Sequence, residues 1–218
     1  MKRLNLPLEI LLWLIILLPV AYLWFTWATL PARVPIHFNL QGEPNGWASK
    51  TELAAIVLFS TIGLNVLLLF IPAIDPKRRI ENMGSKYNSL RVILLLFMTA
   101  FAGFLIYSAM PDQGIHMSLL PVLIGALLAA LGNYFQAVKP NYFIGIRTPW
   151  TLESETVWRK THRLGGRLWV VGGVLIALLT FIADAALRET VFISIIAALV
   201  LVPVVHSFIA FQQEKALQ

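Results

Sequence analysis

Six apolar runs divide this sequence: Leu8–Ala28, Leu53–Ile74, Val92–Ala109, Met117–Val138, Leu168–Ala186 and Val191–Phe211. Each is close to the ~20 residues a helix needs to cross the hydrocarbon core of a bilayer. A chain in lipid must satisfy its backbone hydrogen bonds within itself, so each run is expected to be a helix. The composition agrees, with 58% of residues hydrophobic and 13% charged, against about 45–50% and about 25% in soluble domains. The expected fold is all-α: a polytopic membrane protein with six transmembrane helices. The first run follows Lys2 and Arg3 as a signal peptide would, but it exceeds the usual apolar stretch of about 7–15 residues and is read as a retained helix.

Lys and Arg set the orientation. Lys2 and Arg3 precede the first run. Lys77, Arg78, Arg79, Lys86 and Arg91 lie in the second connection, and Lys139, Arg147, Arg159, Lys160, Arg163 and Arg167 in the fourth; Lys215 follows the last run. Only Arg33, Lys50 and Arg188 fall on the opposite side. Basic residues collect in cytoplasmic loops, so both termini are expected in the cytoplasm. The net charge of +6 then reflects those loops and does not point to nucleic acid.

This orientation places Leu30–Trp47, LPARVPIHFNLQGEPNGW, outside. Val34, Ile36, Phe38 and Leu40 alternate with Pro35, His37 and Asn39, the period of a short strand. Gly42, Pro44, Asn45 and Gly46 read as a turn-rich stretch. Ser49 and Glu52 form a capping-box pattern directly before the second run. The polar side, with His37, Asn39 and Gln41, is expected to face water or a ligand.

The fourth connection, Lys139–Arg167, is the longest cytoplasmic one. Thr151 is placed as the N-cap of a helix over Leu152–Leu164, with Glu153 and Glu155 near its positive end. At 100° per residue Arg159, Lys160, Arg163 and Arg167 share a face, with Trp158, Thr161 and Gly165 roughly opposite. This is the pattern of an interfacial helix with its basic face toward lipid headgroups. Gly165-Gly166 and Gly172-Gly173 lie seven residues apart and predict close helix packing.

Within the spans, Asn65 is expected to bond between helices, and His206, Asn133 and Asp184 are the other polar residues noted. No carboxylate is placed at mid-membrane. The chain lacks H-E-x-x-H, Gly-x-Ser-x-Gly and Walker patterns. With no cysteine, disulfide frameworks and thiolate metal sites are excluded. His37 with His116, and Glu43 or Asp112 as a third ligand, is the one arrangement left for an outer metal site, and the spacing does not support it. Neither metal nor cofactor is expected.

Two stretches carry a family resemblance. Pro35-Ile36-His37-Phe38-Asn39, then Gly42, Gly46-Trp47 and Lys50, resembles the P-x-H-F-N…G…W…K signature of a small extracytoplasmic membrane domain of unassigned biochemistry. Asn141-Tyr142-Phe143-Ile144-Gly145-Ile146-Arg147-Thr148-Pro149-Trp150-Thr151-Leu152, then Val157-Trp158, Thr161-His162-Arg163 and Gly166, resembles the SdpI family signature. The resemblance implies a six-helix protein of the bacterial cytoplasmic membrane. It also implies immunity to a secreted cannibalism-type peptide toxin, and signalling by holding an ArsR-type repressor at the cytoplasmic face.

The expected organisation is residues 1–91, carrying two spans and the outer loop, followed by 92–218, a four-helix region with the basic loop 139–167. Pro35, His37, Phe38, Asn39, Gly42, Trp47 and Lys50 are the candidate outer ligand-binding residues. Asn141, Gly145, Arg147, Thr148, Trp150, Trp158, His162 and Arg163 form the candidate cytoplasmic motif. The expected partners are the lipid bilayer, a peptide toxin and the repressor. A non-enzymatic immunity protein is the leading reading, a small-molecule or peptide transporter the alternative, and a membrane enzyme built on His37 or His162 the third.

Overall fold

The computed structural model describes residues 5–39, 43–75, 79–111 and 119–217, without the side chains of Arg79, Asn82 and Ala185. Gly42, Leu40, Gln41, Lys77, Arg78, Asp112 and His116 therefore lie outside the described residues. Within them the chain runs α1 Leu6–Thr26, β1 Arg33–Phe38, β2 Pro44–Ser49, α2 Lys50–Ile74, α3 Arg79–Met83, α4 Ser85–Ser108, α5 Leu119–Phe135, α6 Pro149–Glu153, α7 Glu155–Ile182 and α8 Ala185–Lys215. Helices α1, α2, α4, α7 and α8 are long and apolar enough to cross a membrane, and α5 is a shorter apolar helix. The expected all-α multi-pass architecture is the one found, with one small hairpin added. The chain divides into two compact units, Met1–Phe70 with Arg91–Leu123, and Ile71–Leu90 with Ile124–Gln218.

In the first unit the hairpin is seated on helices. Val34 and Phe38 of β1 join Leu23, Leu53, Val57, Ala102, Leu105 and Ile106 in one buried apolar cluster. The Phe38 ring meets Phe104 edge-on at 5.7 Å. β1 and β2 pair antiparallel, with Arg33 opposite Ser49, Pro35 opposite Trp47 and His37 opposite Gly46. The turn reading of Pro44–Gly46 is corrected here: those residues form the start of a strand. The simple alternation is corrected too. Val34 and Pro35 are both buried, and the register shifts between Pro35 and His37 and again between His37 and Phe38. A proline has no N–H to give to the ladder, and a bulge absorbs that loss.

Helix α2 begins as the sequence predicts. Ser49 Oγ accepts from Glu52 N at 3.2 Å, and Glu52 Oε2 accepts from Ser49 N at 2.7 Å. Leu53, Val57, Thr61 and Asn65 are all fully buried. Twelve residues carry a regular α-helix through 1,200°, which would leave Asn65 about 120° from Leu53. A π-helical turn at Phe59–Gly63 takes up one extra residue, about 100° of rotation, and returns Asn65 to the buried face. The Ser60 and Thr61 hydroxyls donate to Val57 O at 3.2 and 2.7 Å, occupying a carbonyl at this turn.

In the second unit α7 is a single helix from Glu155 to Ile182. The expected interfacial helix and the expected fifth span are thus one element. Thr148, not Thr151, caps the short α6 before it, and Ser154 caps α7, its Oγ accepting from Val157 N at 3.2 Å. Asp184 likewise sits outside the span, where it caps α8 through a 2.8 Å bond from Leu187 N. At ~1.5 Å per residue, the 28 residues of α7 extend about 42 Å, longer than the ~30 Å hydrocarbon core.

The glycine pairs on α7 sort between two neighbours. A Cβ on Gly166 would stand 2.6 Å from Gly132 O, and one on Gly173 would stand 2.7 Å from Ala129 N, so this side of α7 meets the backbone of α5. A Cβ on Gly165 would meet Ile146 Cδ1 at 2.5 Å and Pro203 Cγ at 3.4 Å, and one on Gly172 would meet Ile195 Cγ2 at 2.9 Å. Those contacts are with side chains, mainly of α8. Only a missing Cβ lets two helix backbones approach this closely.

Candidate functional site

The signature of the second unit builds a closed knot. Asn141 is buried and uses its whole carboxamide: Oδ1 accepts from Phe143 N at 2.8 Å and Ile144 N at 2.7 Å, while Nδ2 donates to Lys139 O at 2.9 Å and Ile144 O at 3.0 Å. Gly145 follows at φ 116°, a conformation that L side chains rarely adopt, and a Cβ there would overlap His162 Nε2. His162 Nε2 accepts from Ile146 N at 2.9 Å, and its Nδ1 faces Trp158 O at 2.9 Å. An acceptor at Nδ1 and a donor at Nε2 select the neutral ring with its proton on Nδ1. Trp158 is fully buried, stacks on His162 at 4.0 Å and donates through Nε1 to Val138 O at 2.8 Å.

The rest of that motif is also bound into the fold. Arg147 Nη1 donates to Tyr142 O. Thr148 Oγ1 donates to Ser207 Oγ of α8 at 3.0 Å, and Trp150 meets Phe208 edge-on at 5.1 Å. Ser154 Oγ donates to Glu214 Oε2 at 2.5 Å. Asn141, Gly145, Trp158 and His162 are thus brought together; Thr148 and Trp150 dock on α8 instead. Arg163 is outside both groups. It lies exposed with Arg159, Lys160 and Arg167, the shared basic face that the helical period predicts.

On the hairpin, His37 is exposed and its Nδ1 is bonded to Asn45 Oδ1. Asn39 and Glu43 close the end of the ladder: Glu43 N donates to Asn39 Oδ1 at 2.8 Å, and Asn39 Nδ2 donates to Glu43 Oε2 at 3.1 Å. Gly46 is required where it stands, because a Cβ would lie 2.7 Å from His37 Cβ. Trp47 is 52% exposed. Pro35 and Phe38 are buried and hold the hairpin down. Lys50 turns away from it, with Nζ 3.5 Å from Trp27 O and 5.2 Å from the Trp27 ring centroid. The exposed group comprises an imidazole, a carboxylate and an indole, chemistry suited to recognising a polar or amphipathic surface. Among the described residues no three His, Asp or Glu side chains are placed to hold a metal ion.

A third cluster went unread in the sequence. Arg91 of α4 is buried and grips Glu9 of α1 with both terminal nitrogens, at 2.6 and 2.9 Å, while Nη2 also donates to Asn65 Oδ1 of α2 at 3.0 Å. Arg91 Nε and Asn65 Nδ2 have no hydrogen-bond partner among the described residues. Arg91 resembles one more positive-inside charge at the end of a loop, which hid it. Glu9 gave the signal that could have revealed it, since a carboxylate inside an apolar run needs a partner.

The comparisons with known proteins fit this geometry. The SdpI/YfhL protein family matches residues 137–210, which span the knot, α6, α7 and most of α8. A domain of unknown function, DUF1648, matches residues 14–64, which span the C-terminal part of α1, the hairpin and the first part of α2. The protein named Immunity protein SdpI from Bacillus subtilis (strain 168) is 28% identical over 174 residues, covering 79% of this chain and 81% of that relative. No solved structure matches. With a DUF1648-like region followed by the Asn141–Gly166 knot on apolar helices, this chain is a multi-pass bacterial membrane protein whose residues 137–210 are similar to the SdpI/YfhL protein family.

Proposed function

We propose that this chain is a membrane immunity protein that protects its own cell against a secreted, membrane-active peptide. The observation that carries the reading is the hairpin. It is an exposed patch of His37, Glu43 and Trp47, rigidly seated by Val34 and Phe38, and by the charge rule it faces outward. Indole and imidazole groups at a membrane surface present an apolar body and a polar tip, a match for an amphipathic peptide at that depth. The relative named as an immunity protein supports the same reading. Expression in a toxin-sensitive Bacillus strain tests it. Survival should rise with the intact chain and fall with Trp47→Ala and His37→Ala; unchanged killing at confirmed membrane insertion would refute it for that toxin.

A second role draws on a different observation. Arg159, Lys160, Arg163 and Arg167 form an exposed face with no ion pair among the described residues. By the charge rule this face is cytoplasmic, and it is available to an ArsR-type repressor. A tagged repressor should move into the membrane fraction on toxin exposure with the intact chain, and remain soluble when those four residues are changed to Gln. A soluble repressor with the intact chain would refute the role.

A further inference from the structure

From the π turn and the cluster just beyond it, we propose that α2 is a two-position helix whose register locks or releases the Glu9–Arg91–Asn65 node. The inference rests on the recognition reading above only for the meaning of the switch, not for its existence. Three observations meet at one place. Leu53 and Val57 bury the N-terminal part of α2 beneath the hairpin. Asn65, directly after the π turn, buries its carboxamide against Arg91. A regular helix cannot satisfy both, because their angular positions differ by about 120°. The π turn is therefore the element that lets one helix hold the hairpin core and the polar node together.

The node is not saturated. Arg91 Nε and Asn65 Nδ2 are buried donors without partners among the described residues, so the docked arrangement leaves hydrogen-bonding capacity unspent. If the π turn anneals to regular α-helix, Asn65 rotates off Arg91 by about 100°, and the Glu9–Arg91 pair loses its third member. α2 also carries the hairpin at its capped N-terminus. A load on the hairpin that twists α2 is thus transmitted to a charged pair about 18 Å away along that helix, the rise from Leu53 to Asn65 at ~1.5 Å per residue.

The test uses the full chain in lipid nanodiscs. Selective ¹⁵N-arginine labelling, with the Arg91 signal assigned by its loss in Arg91→Lys, makes that guanidinium the reporter. In the wild type the assigned Arg91 guanidinium should exchange slowly. Deletion of Ser60, which removes the extra residue, should abolish that signal. Deletion of Phe70, beyond the node, should preserve it. Asn65→Leu keeps the helix length and should speed hydrogen exchange across 59–68 by at least tenfold. A retained signal after Ser60 deletion, or equal loss in both deletions, overturns the register argument. If the Ser60 deletion does not fold, unchanged exchange in Asn65→Leu overturns it instead. Toxin survival is scored separately, so a chain that gives no protection refutes the immunity reading and leaves the spectroscopic result standing.

Discussion

Adjacent glycines on α7 should respond unequally to the same substitution. For Gly166→Ala the new methyl stands 2.6 Å from Gly132 O and 2.9 Å from Gln136 Cγ. Ordinary contact begins near 3.4 Å, so the α5 backbone must withdraw by about 0.8 Å. Overpacking of that kind costs about 1–3 kcal/mol, offset by roughly 1 kcal/mol from replacing glycine by alanine inside a helix. A net loss of up to about 2 kcal/mol follows. For Gly165→Ala the closest atom is the rotatable end of Ile146, and Pro203 Cγ already lies at 3.4 Å. The side chain can move, the propensity term survives, and the variant should be neutral to about 1 kcal/mol more stable. One heptad later Gly173 again faces the α5 backbone, while a Cβ on Gly172 would meet Ile195 Cγ2 at 2.9 Å and Leu199 Cδ2 at 3.1 Å, side-chain contacts tighter overall than those at Gly165. SDS titration of the purified protein in mixed micelles, followed by far-UV circular dichroism, measures both. Losses of equal sign and size at Gly165 and Gly166 would refute the assignment of one glycine of each pair to a backbone crossing.

Arg91→Met should destabilise the first unit by about 3–5 kcal/mol by leaving the buried Glu9 unpaired, and Glu9→Met with Arg91→Met should recover most of that loss; an additive double variant in the same titration would contradict the pairing. ¹⁵N spectra of His162 should show the neutral Nδ1-protonated tautomer, since an imidazolium would set an N–H against Ile146 N; an Nε2-protonated ring would dissolve the proposed knot. Thr148→Ala should cost about 1 kcal/mol as a lost cap and raise hydrogen exchange at Thr151, whereas unchanged exchange would mean that the cap contributes nothing. Gly46→Ala should loosen the hairpin and make 43–49 protease-sensitive in intact cells, and equal resistance to wild type would show that the strands tolerate a side chain there.

The sequence made the spans legible because lipid leaves few alternatives to a helix of about 20 residues, and it made the α2 start legible because a capping box is a local device. The knot residues were legible as a cytoplasmic motif, with stabilising the bundle and docking a repressor both left open as its role. What stayed hidden was non-local. Pro44, Asn45 and Gly46 read as turn, and only pairing with β1 makes them a strand. Glu9 and Arg91 are 82 residues apart, and Arg91 read as one more basic residue of a cytoplasmic loop. The ladder of Leu53, Val57, Thr61 and Asn65 is spaced by four, a period that drifts around an α-helix unless a π turn corrects it. The break at Ser154 was missed because Thr148, Thr151 and Ser154 all have capping chemistry, and packing on α8 decides between them.

The Asn141 carboxamide, with every donor and acceptor already committed to its own loop, has a consequence for how such chains are recognised. A residue that spends all its bonding at home cannot also report on a visitor. The long stretch that makes this chain recognisable is therefore a joint, a way of turning a chain sharply into a helix. A search keyed to it finds proteins that share carpentry. On the immunity reading proposed above, discrimination between one peptide and another then falls to the exposed groups of the hairpin, above all to Trp47, whose indole lies 52% exposed.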